Sequence, residues 1–371
     1  VTGDLVRVRT TGIGARVDLA AIEVMLGNRV VPVAGVTTYP DGYDDIEFEL
    51  PEVEAGCGVP LAIKVGAFVS NYASLPVGSR GTLCPDASRP ENYEQLVTEG
   101  ARIGTINLGR SEIGMQQFQM RSDAGGASFF RYDAENVAAG FAFQQGMTAG
   151  ACTLLRAYEQ DQAEVPHASL DAGTKLAVTG SGGAKEMARE SKGNYAGRFG
   201  EQMMIDLPGV PPVPGRLYFE PGTYTVTGTG GEDVGAFSAQ VKVEAPLRWT
   251  NADRLGTECG ETRCVERSED LRIDWEPGGS NRMVTVMAMS ATETRPAAAG
   301  IIVCQERADK GTLTVPALLL TKLPASRSDE PQSLIQFSVS NGEGDQRFSA
   351  PGLDWGWIGY TESAMRTVAF R

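Results

Sequence analysis

The chain has 371 residues, 47 Asp plus Glu against 33 Lys plus Arg, and a formal net charge of −14. That balance repels phosphate backbones and the basic residues form no stripe, so nucleic acid is excluded as a partner. No run of 18 apolar residues occurs, the nearest being 315–320 with Pro316 inside it, so no membrane insertion by a helix is expected.

At about 100 to 200 residues per domain the length predicts two or three domains, and the punctuation favours three. Gly (45) and Pro (20) interrupt segments rich in Val, Thr, Leu, Tyr and Phe, the pattern of many short strands joined by turns. The expected fold class is therefore all-β, with serial Ig-like β-sandwich domains stapled by disulfides. The chain enters an alternating strand at Leu5 with no signal peptide ahead of it, which implies a leader already removed or domains upstream.

Residues 1–87 read as one small sandwich. Strands are predicted over 5–10, 21–26, 29–38, 45–50, 60–65 and 68–77, with turns at Gly27-Asn28, Asp41-Gly42 and Gly66. Six or seven strands in this length is the count of an immunoglobulin-like domain. The two-residue break Gly27-Asn28 between apolar runs signals a hairpin. Residues 88–100 are polar and read as a linker or short helix.

Residues 101–246 resume strand patterns at 103–108, 116–121, 128–133, 152–158, 175–179, 218–227 and 237–243. The stretch 207–214 carries Pro208, Pro211, Pro212 and Pro214 and must be an extended loop. Residues 247–371 suggest a second Ig-like sandwich, with strands at 271–275, 283–289, 300–304, 311–315, 334–341 and 361–370. Trp275, beside Ile273 and ahead of Pro277-Gly278-Gly279, is expected in its core.

Six cysteines in no zinc-like spacing point to three disulfides and an oxidising, extracellular or cell-surface location. Cys57 with Cys84 and Cys259 with Cys264 are the expected pairs. Cys152 and Cys304 are left to pair by elimination.

Gly3-Asp4-Leu5, Thr11-Gly12-Ile13-Gly14 and Gly56-Cys57-Gly58-Val59-Pro60, leading through Ser70-Asn71 to Cys84, resemble the IPT/TIG-type Ig module of a family of secreted bacterial proteins common in acidobacteria. Downstream phrases such as Pro221-Gly222-Thr223-Tyr224 and Pro246-Leu247-Arg248-Trp249 extend the likeness over nearly the whole chain. The resemblance implies secretion, an Ig-like module and a β-rich C-terminal region, and it brings no catalytic residue.

Catalytic machinery is sparse. His167 is the only histidine, and with Ser169 and Asp171 it would share one face of a strand, yet such positions lie about 6.5 to 7 Å apart and point in parallel, not in the relay a triad needs. Gly109 to Gly114 misses a nucleophile elbow by one residue. Two other groupings are candidates. Asp41, Asp44, Asp45 and Glu47 crowd one loop and could hold calcium, the only cofactor expected, though a solvated acidic loop is the plainer reading. Trp355, Trp357 and Tyr360 could stack on a sugar or a partner, with core packing the competing reading.

The function expected is a non-enzymatic secreted structural or adhesive protein acting through surface contacts. Its partner is another protein or itself, in a filament or surface layer built by strand addition, both chain ends being placed in strands. The alternative is a polysaccharide-binding module.

Overall fold

The structure is a computed structural model that describes residues 2–11, 13, 18–26, 29–40, 42–53, 56–65, 68–70, 73–78, 93–115, 118–137, 149–157, 166–205, 215–260, 262–292, 298–326, 333–341 and 347–371. It is all-β, as the alternation predicts.

Among the described residues eight strands make the first sandwich: β1 (Leu5–Thr11), β2 (Ile22–Leu26), β3 (Arg29–Pro32), β4 (Gly35–Thr38), β5 (Tyr43–Glu49), β6 (Gly56–Val65), β7 (Phe68–Val69) and β8 (Ala73–Val77). One sheet has the order β1-β5-β4, the other β3-β2-β6 with β7 and β8 both on β6. Between them Val24, Leu26, Ile46, Phe48 and Leu61 are buried. The β2–β3 hairpin forms where Gly27-Asn28 predicts it, with Leu26 opposite Arg29. The single strand expected over 29–38 is two. Pro32 ends β3, Val33 and Ala34 are outside any strand, and β4 joins the facing sheet.

A helix, Tyr93–Glu99, occupies the predicted linker. The strands that follow are β9 (Ala101–Met115), β10 (Phe118–Tyr132), β11 (Ala151–Ala157), β12 (Ala168–Ser169), β13 (Lys175–Gly180), β14 (Gly183–Ser191), β15 (Asn194–Ile205), β16 (Gly222–Gly228) and β17 (Phe237–Val243). Then come β18 (Thr257–Cys259), β19 (Thr262–Val265), β20 (Leu271–Asp274), β21 (Arg282–Thr292), β22 (Ala298–Arg307), β23 (Thr312–Val315), β24 (Leu334–Asn341) and β25 (Trp355–Phe370). The loop expected over 207–214 lies outside the described residues.

Most of these strands belong to one sheet, whose main path is β11-β22-β21-β24-β25-β9-β10-β15-β14-β13-β16-β17. The boundary expected at 246/247 is therefore crossed twice. β25 runs parallel to β9, from Trp355 opposite Ile103 to Arg366 opposite Gly114, and β11 pairs with β22. Two cores lie against this sheet. Phe129, Tyr195, Tyr224, Val226 and Ile358 are buried in one; Trp275, Val286, Ile302, Phe337 and Phe370 are buried in the other. Trp275 is the core tryptophan the sequence predicts, its indole N–H donating to the Ala308 carbonyl at 2.8 Å.

Two disulfides are described. Cys152 on β11 is bonded to Cys304, its register partner on β22, and Cys259 to Cys264 across the β18–β19 hairpin. Cys84 and the side chain of Cys57 lie outside the described residues. The first bridge closes a loop of 152 residues. Loop-closure entropy assigns it about 5 kcal/mol, against about 2 kcal/mol for the short hairpin bridge. The double replacement Cys152→Ser, Cys304→Ser is expected to lower the urea midpoint well below that of Cys259→Ser, Cys264→Ser. Equal midpoints for the two variants would contradict this ranking.

Candidate functional site

On the core-facing side of the long sheet, charge collects where the two cores adjoin. Arg110 on β9 donates from Nε and Nη2 to the two oxygens of Asp123 on β10, at 2.8 and 2.9 Å, and also to the Phe219 carbonyl. Asp123 is fully buried and accepts two further hydrogen bonds, from the backbone N–H groups of Tyr218 (2.6 Å) and Phe219 (2.8 Å). A carboxylate with four donors is a satisfied anion. On β25 the Tyr360 hydroxyl donates to Glu362 at 3.1 Å, and farther along Arg366 pairs with Glu112, which also pairs with Arg121. Burial pushes the Glu362 carboxyl above its ordinary value, against the opposing pull of the Tyr360 hydroxyl, Arg110 and Arg282. Burial likewise raises the Tyr360 phenol. These groups tie strands together and present no open site.

The outer face of the first sandwich is different. Along β1 and β5, Arg7 stands opposite Glu47 and Arg9 opposite Asp45. Arg9 donates to Asp45 at 2.9 and 3.2 Å, Tyr39 donates its hydroxyl to the same carboxylate at 3.1 Å, and Arg9 holds Asp45 below its usual range. The Arg9 guanidinium lies 5.4 Å from the Tyr39 ring centre and 5.9 Å from that of Tyr43, within cation–π reach of both. Tyr43 is exposed. The result is a charge-balanced surface of two phenols and a guanidinium on a three-stranded sheet.

The residues named for calcium have these partners. Asp45 and Glu47 are engaged by Arg9 and Arg7, while Asp44, one position out of phase, accepts from the Thr38 hydroxyl at 2.7 Å and from the Ile13 N–H at 3.2 Å. Among the described residues no three metal-ligating side chains converge. Asp41 lies outside the described residues.

The aromatic trio is also divided. Trp355 and Trp357 share a strand face, but Trp355 is 7% exposed and packs with Leu96, Ala101, Ile103 and Val137, and Trp357 lies half-buried over Gly359. Tyr360, three positions on, points to the opposite face at 2% exposure, against Phe219. The platform of phenols on β1–β5–β4 was not singled out from the sequence, although the alternation Arg7-x-Arg9 against Asp45-x-Glu47 carries its signal.

His167 packs its ring 4.3 Å from Phe130 and 5.9 Å from Tyr132. Asp171 accepts from Arg189 at 3.2 Å and from the Gly173 N–H at 2.8 Å. An apolar groove beside β3 is lined by Leu19, Ile22, Val30 and Val33. Its one carboxylate, Glu23, is paired with Lys64.

Two outcomes follow. Asp123→Asn leaves the Arg110 cation in a buried site without its anion and is expected to cost about 3 to 5 kcal/mol by urea denaturation; a loss under 1 kcal/mol would contradict the tie. Because Glu362 binds its proton more tightly folded than unfolded, it stabilises the fold at low pH, and that contribution is lost as pH rises from about 4.5 through the raised value. Glu362→Gln is therefore expected to flatten the stability profile above about pH 4.5. An unchanged slope would remove this assignment.

No family model matches the chain, and no curated protein matches it. Among solved structures, the I9–I11 tandem of titin is 7% identical and covers 100% of this chain and 94% of its own, at a TM-score of 0.14. The SGBP-B protein of the Bacteroides ovatus mixed-linkage glucan utilization locus, in complex with a heptasaccharide, is 10% identical over 89% of this chain and 66% of its own, at 0.16. The S-layer protein rSbsC is 11% identical over 100% of this chain and 53% of its own, at 0.14.

Proposed function

We propose that this chain is a secreted, non-enzymatic contact protein whose β-sandwiches hold binding surfaces outside the cell. The observation that carries the reading is where its reactive groups go. Asp123, Asp171, Asp45 and Glu112 are each taken up by an arginine that ties one strand or turn to another, and His167 is packed among aromatic rings. The Cys152–Cys304 and Cys259–Cys264 bridges support an oxidising compartment, and the IPT/TIG-type likeness of residues 1–87 points the same way. Peptide mapping of native material without reductant is expected to recover both bridges. Recovery of the four cysteines as free thiols would overturn the extracellular reading.

For assembly by strand addition, β1, β4, β3, β11 and β17 end their sheets among the described residues, whereas β25 lies between β9 and β24. Arg7 and Arg9 put charge along β1, a device that discourages indiscriminate edge pairing.

A polysaccharide-binding reading is favoured by the Tyr39, Arg9, Tyr43 surface rather than by the tryptophans. The exposed Tyr43 ring and the half-buried Tyr39 ring offer stacking area to the apolar face of a sugar, and the exposed Arg9 guanidinium beside them can donate to its hydroxyls. In a glycan-binding screen, Tyr39→Ala with Tyr43→Ala is expected to weaken any neutral-glycan affinity at least tenfold, with the circular dichroism unchanged. Binding that survives both changes would locate the sugar elsewhere.

A further inference from the structure

Over six adjacent strands, the side of the long sheet that faces away from the two cores carries two rows without charge, bordered by Glu201 opposite Ser122 and by Arg307 opposite Met283. Register places Ser122, Ser111, Ser363, Ser338, Thr285 and Gln305 in one row across β10, β9, β25, β24, β21 and β22. The next row, two residues along each strand, is Met120, Ile113, Met365, Gln336, Met287 and Val303. Met283, Met289 and Ile301 flank these rows on β21 and β22. Every one of these side chains is half-buried and still reaches solvent, while the two large hydrophobic clusters lie on the opposite face.

The polar row is organised within itself. Ser111 and Ser122 hydroxyls are 2.8 Å apart, Gln305 donates to Thr285 at 3.0 Å, and Gln336 reaches across to Ser338 at 2.8 Å. Lys, Arg, Asp and Glu are absent from both rows, in a chain that is 22% charged. A solvated sheet face ordinarily alternates charged residues outward. Methionine is a side chain that refits to irregular apolar partners.

We infer that this face is a sheet-stacking interface for a second copy of the same chain. This inference rests on the contact-protein reading and names one of its partners. Two arguments select the occupant. Copies with a net charge of −14 repel one another, and these two rows let them meet where no like charges face each other. These two rows and the one on either side of them, over the six strands, at about 4.8 Å between strands and about 6.7 Å between same-face residues, cover roughly 770 Å² of sheet. A stable protein–protein interface needs about 800 Å² per partner. A two-fold axis lying between the sheets would set methionine row against methionine row, with strands crossing at about 30°.

Sedimentation velocity across a concentration series of the intact chain tests it. Wild type is expected to dimerise, and Met287→Lys or Thr285→Lys, each placing a cation at an outward position, to raise the dimer dissociation constant at least tenfold with thermal unfolding unchanged. Tyr43→Lys, on the first sandwich, is expected to leave the dimer intact. Where a lysine variant fails to fold, peroxide oxidation of wild type supplies the second readout, with Met287 and Met365 modified more slowly as concentration rises. A wild type that stays monomeric at several hundred micromolar, or lysine variants that dimerise normally, would overturn the stacking interface. Glycan binding lost in the Tyr39 and Tyr43 variants under those same conditions would leave the contact-protein reading standing.

Discussion

The parallel pairing of β25 with β9 is the constraint on which the long sheet depends. Parallel neighbours cannot be joined by a tight turn and need a crossover. Here the crossover is most of the chain, since Ile103 meets Trp355 and Gly114 meets Arg366. The sheet is therefore incomplete until its last strand is made, and the contacts that close it are about as non-local as the length permits, a topology that folds slowly. Placing that strand in the middle satisfies both of its backbone edges and lets its first half pack into one core and its last residues into the other. The segments 101–246 and 247–371 meet in one sheet, through β9 with β25 and β11 with β22.

Charge where two cores adjoin needs a reason, because burying an ion pair gains little stability over apolar packing. The Arg110–Asp123 pair spans β9 and β10 and reaches the 218–219 backbone, and Glu112 reaches both Arg121 and Arg366. Each contact fixes one register. A slip of one residue would turn Arg110 to the outer face and Gly109 inward, leaving Asp123 without its partner. Long strands rich in small residues are those most in need of such a marker, and Gly109, Ala124, Gly125 and Gly126 sit in the middle of this hairpin.

Strands with one apolar face were legible from alternation. β1, β2, β5, β17 and β24 fall close to their predicted places. The strands β14 and β15 were not, for two reasons. β14 buries only Met187 of its length, so no period of two appears, and β15 carries Gly197 and Gly200 where a Cβ would strike the backbone at Glu186 and Arg216. β10 read as two strands because Ala124-Gly125-Gly126 interrupts its pattern. Gly125 is required there, since Leu108 and Phe199 occupy the space a side chain would take. The Cys152–Cys304 pair rested on elimination, because nothing local shows that β11 pairs with β22 at the far end of the sheet. The tryptophan pair was correctly placed on one face. That the helix Tyr93–Glu99 puts Leu96 over it is tertiary information that a two-residue spacing does not hold.

The two sides of one sheet thus answer to different demands. Inward positions alternate Ile106, Leu108, Arg110 and Glu112 along β9, changing from apolar to ionic where the first core ends. Outward positions on the same strand are Thr105, Asn107, Gly109, Ser111 and Ile113, which neither demand burial nor refuse it. Hydroxyls and amides that bond to their neighbours, as Ser111 and Ser122 do, are tolerated in water and lose little when covered, because their hydrogen bonds travel with them. Lysine or glutamate in those places would suit water alone, and valine or isoleucine throughout would suit burial alone and risk indiscriminate aggregation. A row of serines beside a row of methionines is the composition for a face that spends part of its life in each state.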